Sequence, residues 1–250
     1  MASNLYDQIR REAEPLGAPA SVMAIGAHPD DAEFGAGGTL STWTAGGARA
    51  ILVIATDGSM GSWDPKLDRV ALVADRRREQ DCAAAILGVA AVEWLGQPDG
   101  KLVHTPALRE HIAVLIRKHR PDIILTHDPW QRYQLHPDHR ATGMLAVDAV
   151  VAAREPRFYP DHEFESHRPS ALLLWSADEP DHAERIDQTA FDAKVGALLC
   201  HATQSETTMG GASTSNDARC QFIERVDGWL RDAGRAFDMG RAETFKRLTP

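Results

Sequence analysis

The sequence predicts an α/β fold: a Rossmann-like three-layer sandwich in which a mostly parallel sheet carries helices on both faces. Short, continuously apolar runs alternate with stretches of helical periodicity from residue 21 to residue 175. Such alternation builds a parallel sheet through right-handed crossovers. In addition, 250 residues, of which 43% are hydrophobic and 25% charged, are enough for one substantial core. We therefore expect a single domain over residues 1–250, with residues 1–20 as an N-terminal extension.

Each strand is predicted from a run of apolar residues, as expected where both faces of a strand are buried. These runs cover residues 21–27, 50–56, 91–95, 122–126 and 171–175. Helices are predicted where apolar residues recur at helical spacing, around residues 40–43 and over residues 70–87, 106–119 and 138–153. Gly88 and Pro121 mark the ends of two of these helices. Further helices are expected to fill much of the chain beyond residue 175.

Composition and charge exclude several classes of partner. Acidic residues outnumber basic ones by 36 to 27, which gives a formal net charge of −9, whereas nucleic acids and anionic membranes need a basic footprint. No apolar run is long enough to predict a membrane span, and charged residues near the N-terminus stand where a signal peptide would be apolar. We therefore expect a cytoplasmic protein that binds a small molecule. Cys82 and Cys200 are expected to be buried free thiols.

Two short motifs concentrate the candidate functional residues. Ala27-His-Pro-Asp-Asp31 directly follows the first predicted strand, and His136-Pro-Asp-His139 follows the fourth strand after one loop. Ligands bind beyond the carboxyl ends of the strands in a parallel sheet, which places both motifs on the same rim. Zinc binds imidazole nitrogen and carboxylate oxygen, and a catalytic site needs three such ligands with one position left open. The two motifs therefore predict a hydrolytic metal centre.

The residue types suggest a role for each group in this centre. His28 and Asp31 are the expected ligands from the first motif, and His139 is the expected third ligand. Asp30 leaves the backbone in a different direction from its neighbour, so we expect it to act on water as the general base. Residues 127–128, at the end of the fourth strand, are expected to lie behind the ligands without binding the metal.

The second motif offers two further polar groups. His136 could also reach a metal, but we favour it as the group that stabilises the oxyanion or protonates the leaving amine, with Asp138 orienting or tuning it. Simpler roles are open for the same side chains. Asp30 and Asp31 would suit the N-terminal cap of the following helix, and His136 would suit a loop histidine that is bonded to backbone.

The chain resembles the LmbE-like, or PIG-L, family of zinc-dependent N-deacetylases, which remove acetyl groups from N-acetylglucosaminyl compounds and related amides. The resemblance covers nearly the whole chain and is carried mainly by the two His-Pro-Asp motifs. Weaker matches are Thr56-Asp-Gly58, Arg76 with Glu79, Asp99-Gly100, Arg132-Tyr133, Lys194, His201 with Gln204, and Ala242-Glu243 with Phe245. The resemblance implies the same ligands, base and assisting groups, and Zn²⁺ as cofactor, although Fe²⁺ and other divalent ions suit these ligands as well.

The resemblance also implies contacts with the substrate. Arg76 and Asp99 match positions that bind sugar hydroxyls, and Tyr133 matches a mobile aromatic residue near the scissile group. The residues alone leave other roles open. Arg76 would suit a solvated helix face or an ion pair with Glu79, and Asp99 would suit a turn before glycine.

We therefore predict a metal-dependent hydrolase that removes an N-acetyl or other N-acyl group from an N-acetylglucosaminyl or related sugar-like small molecule. Two alternatives are an amidase that cleaves a larger thiol-conjugate or antibiotic-type amide, and a non-catalytic sugar- or nucleotide-binding domain. No G-x-G-x-x-G or phosphate-loop pattern supports nucleotide binding. Loops at residues 58–65, 130–133 and 155–168 are expected to shape the mouth of the site. A homo-oligomer is compatible with the sequence.

Overall fold

The computed structural model describes residues 15–250 and contains a seven-stranded sheet with helices on both faces. The strands are β1 (Ser21–Gly26), β2 (Arg49–Thr56), β3 (Ala91–Gln97), β4 (Ile123–His127), β5 (Ala171–Trp175), β6 (His182–Arg185) and β7 (Ala242–Leu248). The helices are α1 (Asp31–Ala45), α2 (Arg69–Ile86), α3 (Pro106–His119), α4 (Pro137–Arg154), α5 (Gln188–Cys200) and α6 (Asn216–Arg235). The α/β prediction and every element predicted between residues 21 and 175 are confirmed. Most of the predicted N-terminal extension, residues 1–14, lies outside the described residues.

The strand order is β3-β2-β1-β4-β5-β7-β6, and the first five of these strands run parallel. The chain leaves β1 toward β2 on one side and later returns to place β4 on the other side. The strand order therefore reverses between β1 and β4, and a crevice opens beyond their carboxyl ends. Both His-Pro-Asp motifs follow these two strands.

Two apolar layers hold the helices against the sheet. Alternate residues of a strand point to opposite faces, so Met23 and Ile25 of β1 join the layer under α3 and α4, whereas Val22 and Ala24 join the layer under α1, α2 and α5. Helix α6 packs outside this second layer, where Phe222 contacts the apolar side of α5. The core thus has the predicted three layers. Across residues 15–250, no helix combines the length and hydropathy that a bilayer crossing requires.

The end of the sheet adds two strands to the helices that were predicted to fill much of the chain beyond residue 175. Strand β7 pairs antiparallel with both β5 and β6, so the last two strands form an antiparallel edge on a parallel sheet. Strand β6 has four residues, and β7 mixes charged and apolar side chains. Neither segment has the continuous apolar run by which buried strands were recognised.

The two cysteines predicted to be buried free thiols instead form a disulfide. Cys82 on α2 is exposed and pairs with the half-buried Cys200 at the end of α5, 118 residues away. The apolar sequence around each cysteine suggested burial, but the pairing depends on how α5 packs beside α2. Disulfides are uncommon in reducing compartments. The predicted cytoplasmic location therefore stays a prediction that this disulfide does not support.

Helix α1 is interrupted at Ala36, where the backbone angles leave the helical range (φ −149°, ψ 16°). A buried ion pair satisfies the groups around the interruption. Lys194 Nζ donates to the carbonyls of Glu33 and Phe34 at 2.9 and 2.6 Å, and it lies 2.6 Å from Glu243 Oε1. The Glu243 carboxylate accepts the backbone N–H groups of residues 38 and 39 at 3.0 and 2.7 Å. Strand β7 and helix α5 thus fix the helix that begins at the first motif.

Candidate active site

The two motifs converge beyond the carboxyl ends of β1 and β4. The first motif forms the turn from β1 into α1, and the second forms the start of α4. The ring centroid of His28 lies 4.6 Å from that of His136 and 5.2 Å from that of His139. His136 and His139 stack with 4.5 Å between centroids and an interplanar angle of 19°. The spatial convergence expected from the strand order is therefore present.

Asp31 lies among the three histidines that could share a metal ion with it. Its Oδ1 is 3.3 Å from His139 Nε2, and its Oδ2 is 3.4 Å from His28 Nδ1 and 3.1 Å from His127 Nε2. Among the described residues, donor atoms of Asp31, His127 and His139 lie within 4.8 Å of one another, as do those of His28, His136 and His139. Nitrogen and oxygen donors brought together at a partly buried point fit a zinc-like ion.

His28 is held from its far side by two carboxylates. Its Nε2 lies 3.2 Å from Asp99 Oδ1 and 3.3 Å from Asp138 Oδ2. Burial lowers the pKa of His28, but hydrogen bonds to Asp138, Asp31 and Asp99 outweigh burial and hold that pKa well above its usual value. With Nε2–H donated to a carboxylate, Nδ1 becomes the ring atom that can bind a metal.

Asp138 contacts His28 and makes no hydrogen bond to His136, which corrects the orienting role predicted from sequence, whereas its charge does act on the pKa of His136, as tuning requires. Its carboxylate is fully buried, faces His28, and accepts the backbone N–H groups of Gly100 at 2.7 Å and Leu102 at 3.3 Å. Because α4 begins at residue 137, the Asp138 side chain is directed under the site and away from the preceding histidine. Asp138 therefore contacts His28 from below the site, and it does not line the cleft.

Asp30 faces the cleft from the residue that precedes α1. Its φ of 101° lies in the left-handed region, and its side chain makes no capping hydrogen bond to the helix, which contradicts the capping role. Burial, with a contribution from neighbouring Asp31, raises the pKa of Asp30 to about 6, although the guanidinium of Arg76 at 3.8 Å opposes the rise. A buried carboxyl with this pKa suits a general base near neutral pH.

His136 lies half-buried at the rim. Its Nδ1 has no hydrogen-bond partner among the described residues, which contradicts the simple role of a loop histidine bonded to backbone through its side chain. Burial, with the nearby His28 and His139, lowers the pKa of His136. The ring is therefore neutral at neutral pH and retains one N–H to donate.

His127 lies beside Asp31 and His139, at the end of β4, and is 5% exposed. Its Nδ1 accepts the indole N–H of Trp175 at 3.0 Å, and its ring stacks on His139 with 4.3 Å between centroids. Burial lowers its pKa. That residue 127 lies behind the metal ligands stays a prediction, and the sequence did not predict its contact with Trp175, which belongs to the neighbouring strand β5.

These residues open into a cleft of about 700 Å³. Of the predicted substrate contacts, Arg76 and Asp99 line it, whereas Tyr133 does not: its side chain is 87% exposed. The loop prediction holds in part. Residues 60, 61 and 63 line the cleft, as do residues 131 and 134, but none of residues 155–168 does. That last segment instead surrounds Arg117, which donates to the backbone carbonyls of Glu155 and Phe158.

Arg76 takes neither of the simple roles proposed from its sequence. It is buried, and its guanidinium donates to the carbonyls of Gly58 at 2.9 Å and Pro29 at 2.6 Å. Glu79 is bonded elsewhere, because it accepts both the backbone N–H and the hydroxyl of Thr203 at 2.8 and 2.6 Å. Arg76 therefore joins the turn carrying Asp30 to the loop at residue 58.

A buried polar cluster behind Asp30 was not recognised from sequence. Gln80 accepts the Asp30 N–H at 3.3 Å and donates to Glu33 Oε1 at 2.6 Å. His201, fully buried, has Nε2 at 3.8 Å from the same Glu33 oxygen. Burial lowers the pKa of His201, but the contact with Glu33 outweighs burial and raises it. Gln80 lies four residues after Arg76 on α2, and this helical spacing was the available signal.

Comparisons with known proteins show which family this chain resembles. A model of the GlcNAc-PI de-N-acetylase (PIG-L) family matches residues 23–150. Diacetylchitobiose deacetylase of Thermococcus kodakarensis is 34% identical over 194 residues, which cover 76% of this chain and 72% of that protein. Mycothiol S-conjugate amidase of Streptomyces coelicolor is 33% identical over 165 residues, which cover 57% of this chain and 56% of that protein.

A solved structure supports the same relationship. The N,N′-diacetylchitobiose deacetylase from Pyrococcus horikoshii matches with a TM-score of 0.82 and 28% identity, over 92% of this chain and 84% of that one. The resemblance stated from the motifs is therefore confirmed. On the family match, the relatives and the shared fold, this chain belongs to the GlcNAc-PI de-N-acetylase (PIG-L) family.

Proposed function

We propose that this chain is a zinc-dependent N-deacetylase that hydrolyses the acetamido group of an N-acetylglucosaminyl or related sugar-like small molecule. The position of Asp30 carries the proposal, because its carboxylate faces the cleft beside a cluster of imidazole and carboxylate donors. A domain that only binds sugars has no need of such a base. The deacetylases among the relatives support an acetamido group as the target.

His28, Asp31 and His139 would hold the metal. Their donors come from both motifs, and the carboxylates beyond His28 leave its Nδ1 toward Asp31. A divalent ion bound there supplies polarisation of the amide carbonyl and acidification of water. Zinc suits the mixed nitrogen and oxygen donors, and Fe²⁺ is the alternative that metal analysis would distinguish.

Two side chains would then act on the substrate and on water, and a third would hold one of them in position. Asp30, ionised at neutral pH because its pKa is about 6, takes a proton from the attacking water and can return it to the leaving amine. His136 donates its remaining N–H to the oxyanion that develops on the amide. Arg76 fixes the Asp30 turn through its bond to the Pro29 carbonyl.

Acetate release and metal content, measured together, test this proposal. The substrates to be tested are N-acetylglucosamine, diacetylchitobiose and a larger amide that carries a thiol S-conjugate. We expect Asp30→Asn to keep its metal but to lose about 100-fold to 10,000-fold in kcat, the usual contribution of a general base. We expect His139→Ala to lose both metal and activity. Arg78→Gln, a change on the exposed side of α2, is the matched control and should match the wild type.

The possible results separate the candidate functions. If no acetamido sugar releases acetate and the S-conjugate amide is cleaved, the amidase would replace the deacetylase as the proposed function. Full activity of Asp30→Asn would remove the base from the mechanism. Full metal occupancy of His139→Ala would contradict the proposed ligands.

A further inference from the structure

A buried hydrogen bond from Trp175 fixes which nitrogen of His127 carries the proton. The indole N–H has no acceptor capacity, and it points at His127 Nδ1 from 3.0 Å. Nδ1 must therefore be an unprotonated acceptor. A proton on Nδ1 would place two donors against each other in a site where both residues are buried.

The other ring nitrogen then carries the proton. His127 Nε2 lies 3.1 Å from Asp31 Oδ2, and the backbone N–H of Ala27 points at the same nitrogen from 3.4 Å. An unprotonated Nε2 would turn a lone pair toward a carboxylate oxygen, and this repulsion outweighs the gain from the longer Ala27 contact. The Nε2–H tautomer instead donates to Asp31.

This donation leaves one oxygen of Asp31 for a metal. Oδ2 accepts the His28 backbone N–H at 2.7 Å in addition to His127, whereas Oδ1 lies toward His139 Nε2 at 3.3 Å. His127 also stacks on the His139 ring with an interplanar angle of 20°. One side chain thus orients two of the three proposed ligands, although its own nitrogens are both engaged.

We propose that Trp175 and His127 are positioning residues: Trp175 sets the tautomer of His127, and His127 restricts Asp31 to binding the metal through Oδ1 without itself becoming a ligand. The inference rests on the metal centre proposed above. Partners of this kind typically change metal affinity about 10-fold to 100-fold when removed.

The packing around Trp175 is consistent with a fixed indole. A Cβ atom on Gly35 would lie 2.5 Å from Trp175 Cδ2, so the ring lies directly against the backbone of α1. Trp175 is 2% exposed. Glycine at residue 35 therefore lets β5 and α1 hold the indole where its N–H reaches His127.

The tautomer can be measured without any substitution. Nitrogen-15 NMR of the histidine-labelled, metal-free full chain should show His127 protonated on Nε2, with Nδ1 as an acceptor; the His127→Gln spectrum assigns the signal. Trp175→Phe keeps an aromatic ring at this position but removes the N–H donor, and should shift His127 toward a mixture of tautomers. A His127 protonated on Nδ1 in the wild type would overturn the proposal.

The proposed effect of Trp175 and His127 on metal binding is tested by zinc affinity, measured by competition with a chromophoric chelator. We expect about tenfold weaker binding for Trp175→Phe and 10-fold to 100-fold weaker binding for His127→Leu, each still with one zinc. His127→Gln should be affected less, because its amide can still donate to Asp31. The control is Trp43→Phe, which changes a buried tryptophan near the C-terminal end of α1, far along the helix from Asp31. Its zinc affinity should be unchanged.

The outcomes distinguish failure of this inference from failure of the metal centre. Loss of all zinc in His127→Leu, as in His139→Ala, would make His127 a ligand and overturn its positioning role. An unchanged zinc affinity in both Trp175→Phe and His127→Leu would also overturn it. Zinc binding that survives in both Asp31→Ala and His139→Ala would instead contradict the proposed centre itself.

Discussion

Asp30 combines a chemical role with a strained backbone. Residues other than glycine rarely adopt a φ near 100°, but Asp and Asn do so more readily than residues with a plain Cβ. We therefore expect metal-free Asp30→Ala to be less stable than metal-free Asp30→Asn by about 1 kcal/mol, and Asp30→Gly to be at least as stable as Asp30→Asn. Urea unfolding of the three variants measures this order. Equal stabilities would show that the turn relaxes.

Arg76 links the charge of Asp30 to the pH dependence of the reaction. Because the Arg76 guanidinium lowers the pKa of Asp30, its removal should raise that pKa above about 6. The base must be ionised to act, so the acidic limb of kcat/KM for Arg76→Gln should move to higher pH. The exposed Arg78→Gln should keep the wild-type profile. A limb that stays in place, or moves to lower pH, would contradict this link.

At the scale of the elements, the interruption of α1 depends on the Lys194–Glu243 ion pair. Breaking a buried pair by removing one partner typically costs about 3–5 kcal/mol, and here each partner also satisfies backbone groups of α1. We expect losses of this size for Lys194→Met and for Glu243→Gln, and a double variant less destabilised than the sum.

The exposed pair between Lys118 and Glu93 gives a matched comparison for this double-mutant cycle. It joins α3 to β3 at 2.8 Å, but the side chains are 44% and 28% exposed. Such pairs contribute about 0–1 kcal/mol. Comparable coupling energies in the two cycles would mean that the buried pair does not organise α1.

The elements also show what sequence can and cannot establish. Continuous apolar runs predicted β1 to β5. The parallel sheet that these strands imply placed His28 and His139 at the same rim. The partners of these residues could not be predicted in the same way. Trp175 lies 48 residues from His127, and Asp138 faces His28, 110 residues away, not its neighbour His136. Such contacts depend on side-chain directions that are set by packing between elements.

At the scale of the whole molecule, the disulfide joins distant parts of the chain. Cys82 follows Arg76 and Gln80 on α2, and Cys200 precedes His201. Cross-links over long loops typically contribute about 2–4 kcal/mol. We expect a loss of that order for the combined change Cys82→Ser and Cys200→Ser, and the same loss in the wild type under reductant.

Thermal unfolding and peptide mapping measure the contribution of the disulfide. Digestion without reductant should yield a linked pair of peptides containing Cys82 and Cys200. Cys220→Ser, at an exposed free cysteine, is the control and should unfold like the wild type. If the linked peptides are present before reduction but reductant does not change the midpoint temperature of unfolding, the cross-link adds nothing to stability.

The place of β7 has a consequence for how the protein is made. A ribosome releases the first motif early, but the glutamate that secures α1 belongs to a strand more than 200 residues later in the chain. Until that strand emerges, β5 ends the nascent sheet with unpaired backbone groups, an arrangement prone to pairing with other chains. Biosynthesis therefore delivers the chemical groups before the element that immobilises them. Translation stalled before residue 242 should leave a polypeptide that needs chaperone protection and cannot yet organise its metal ligands.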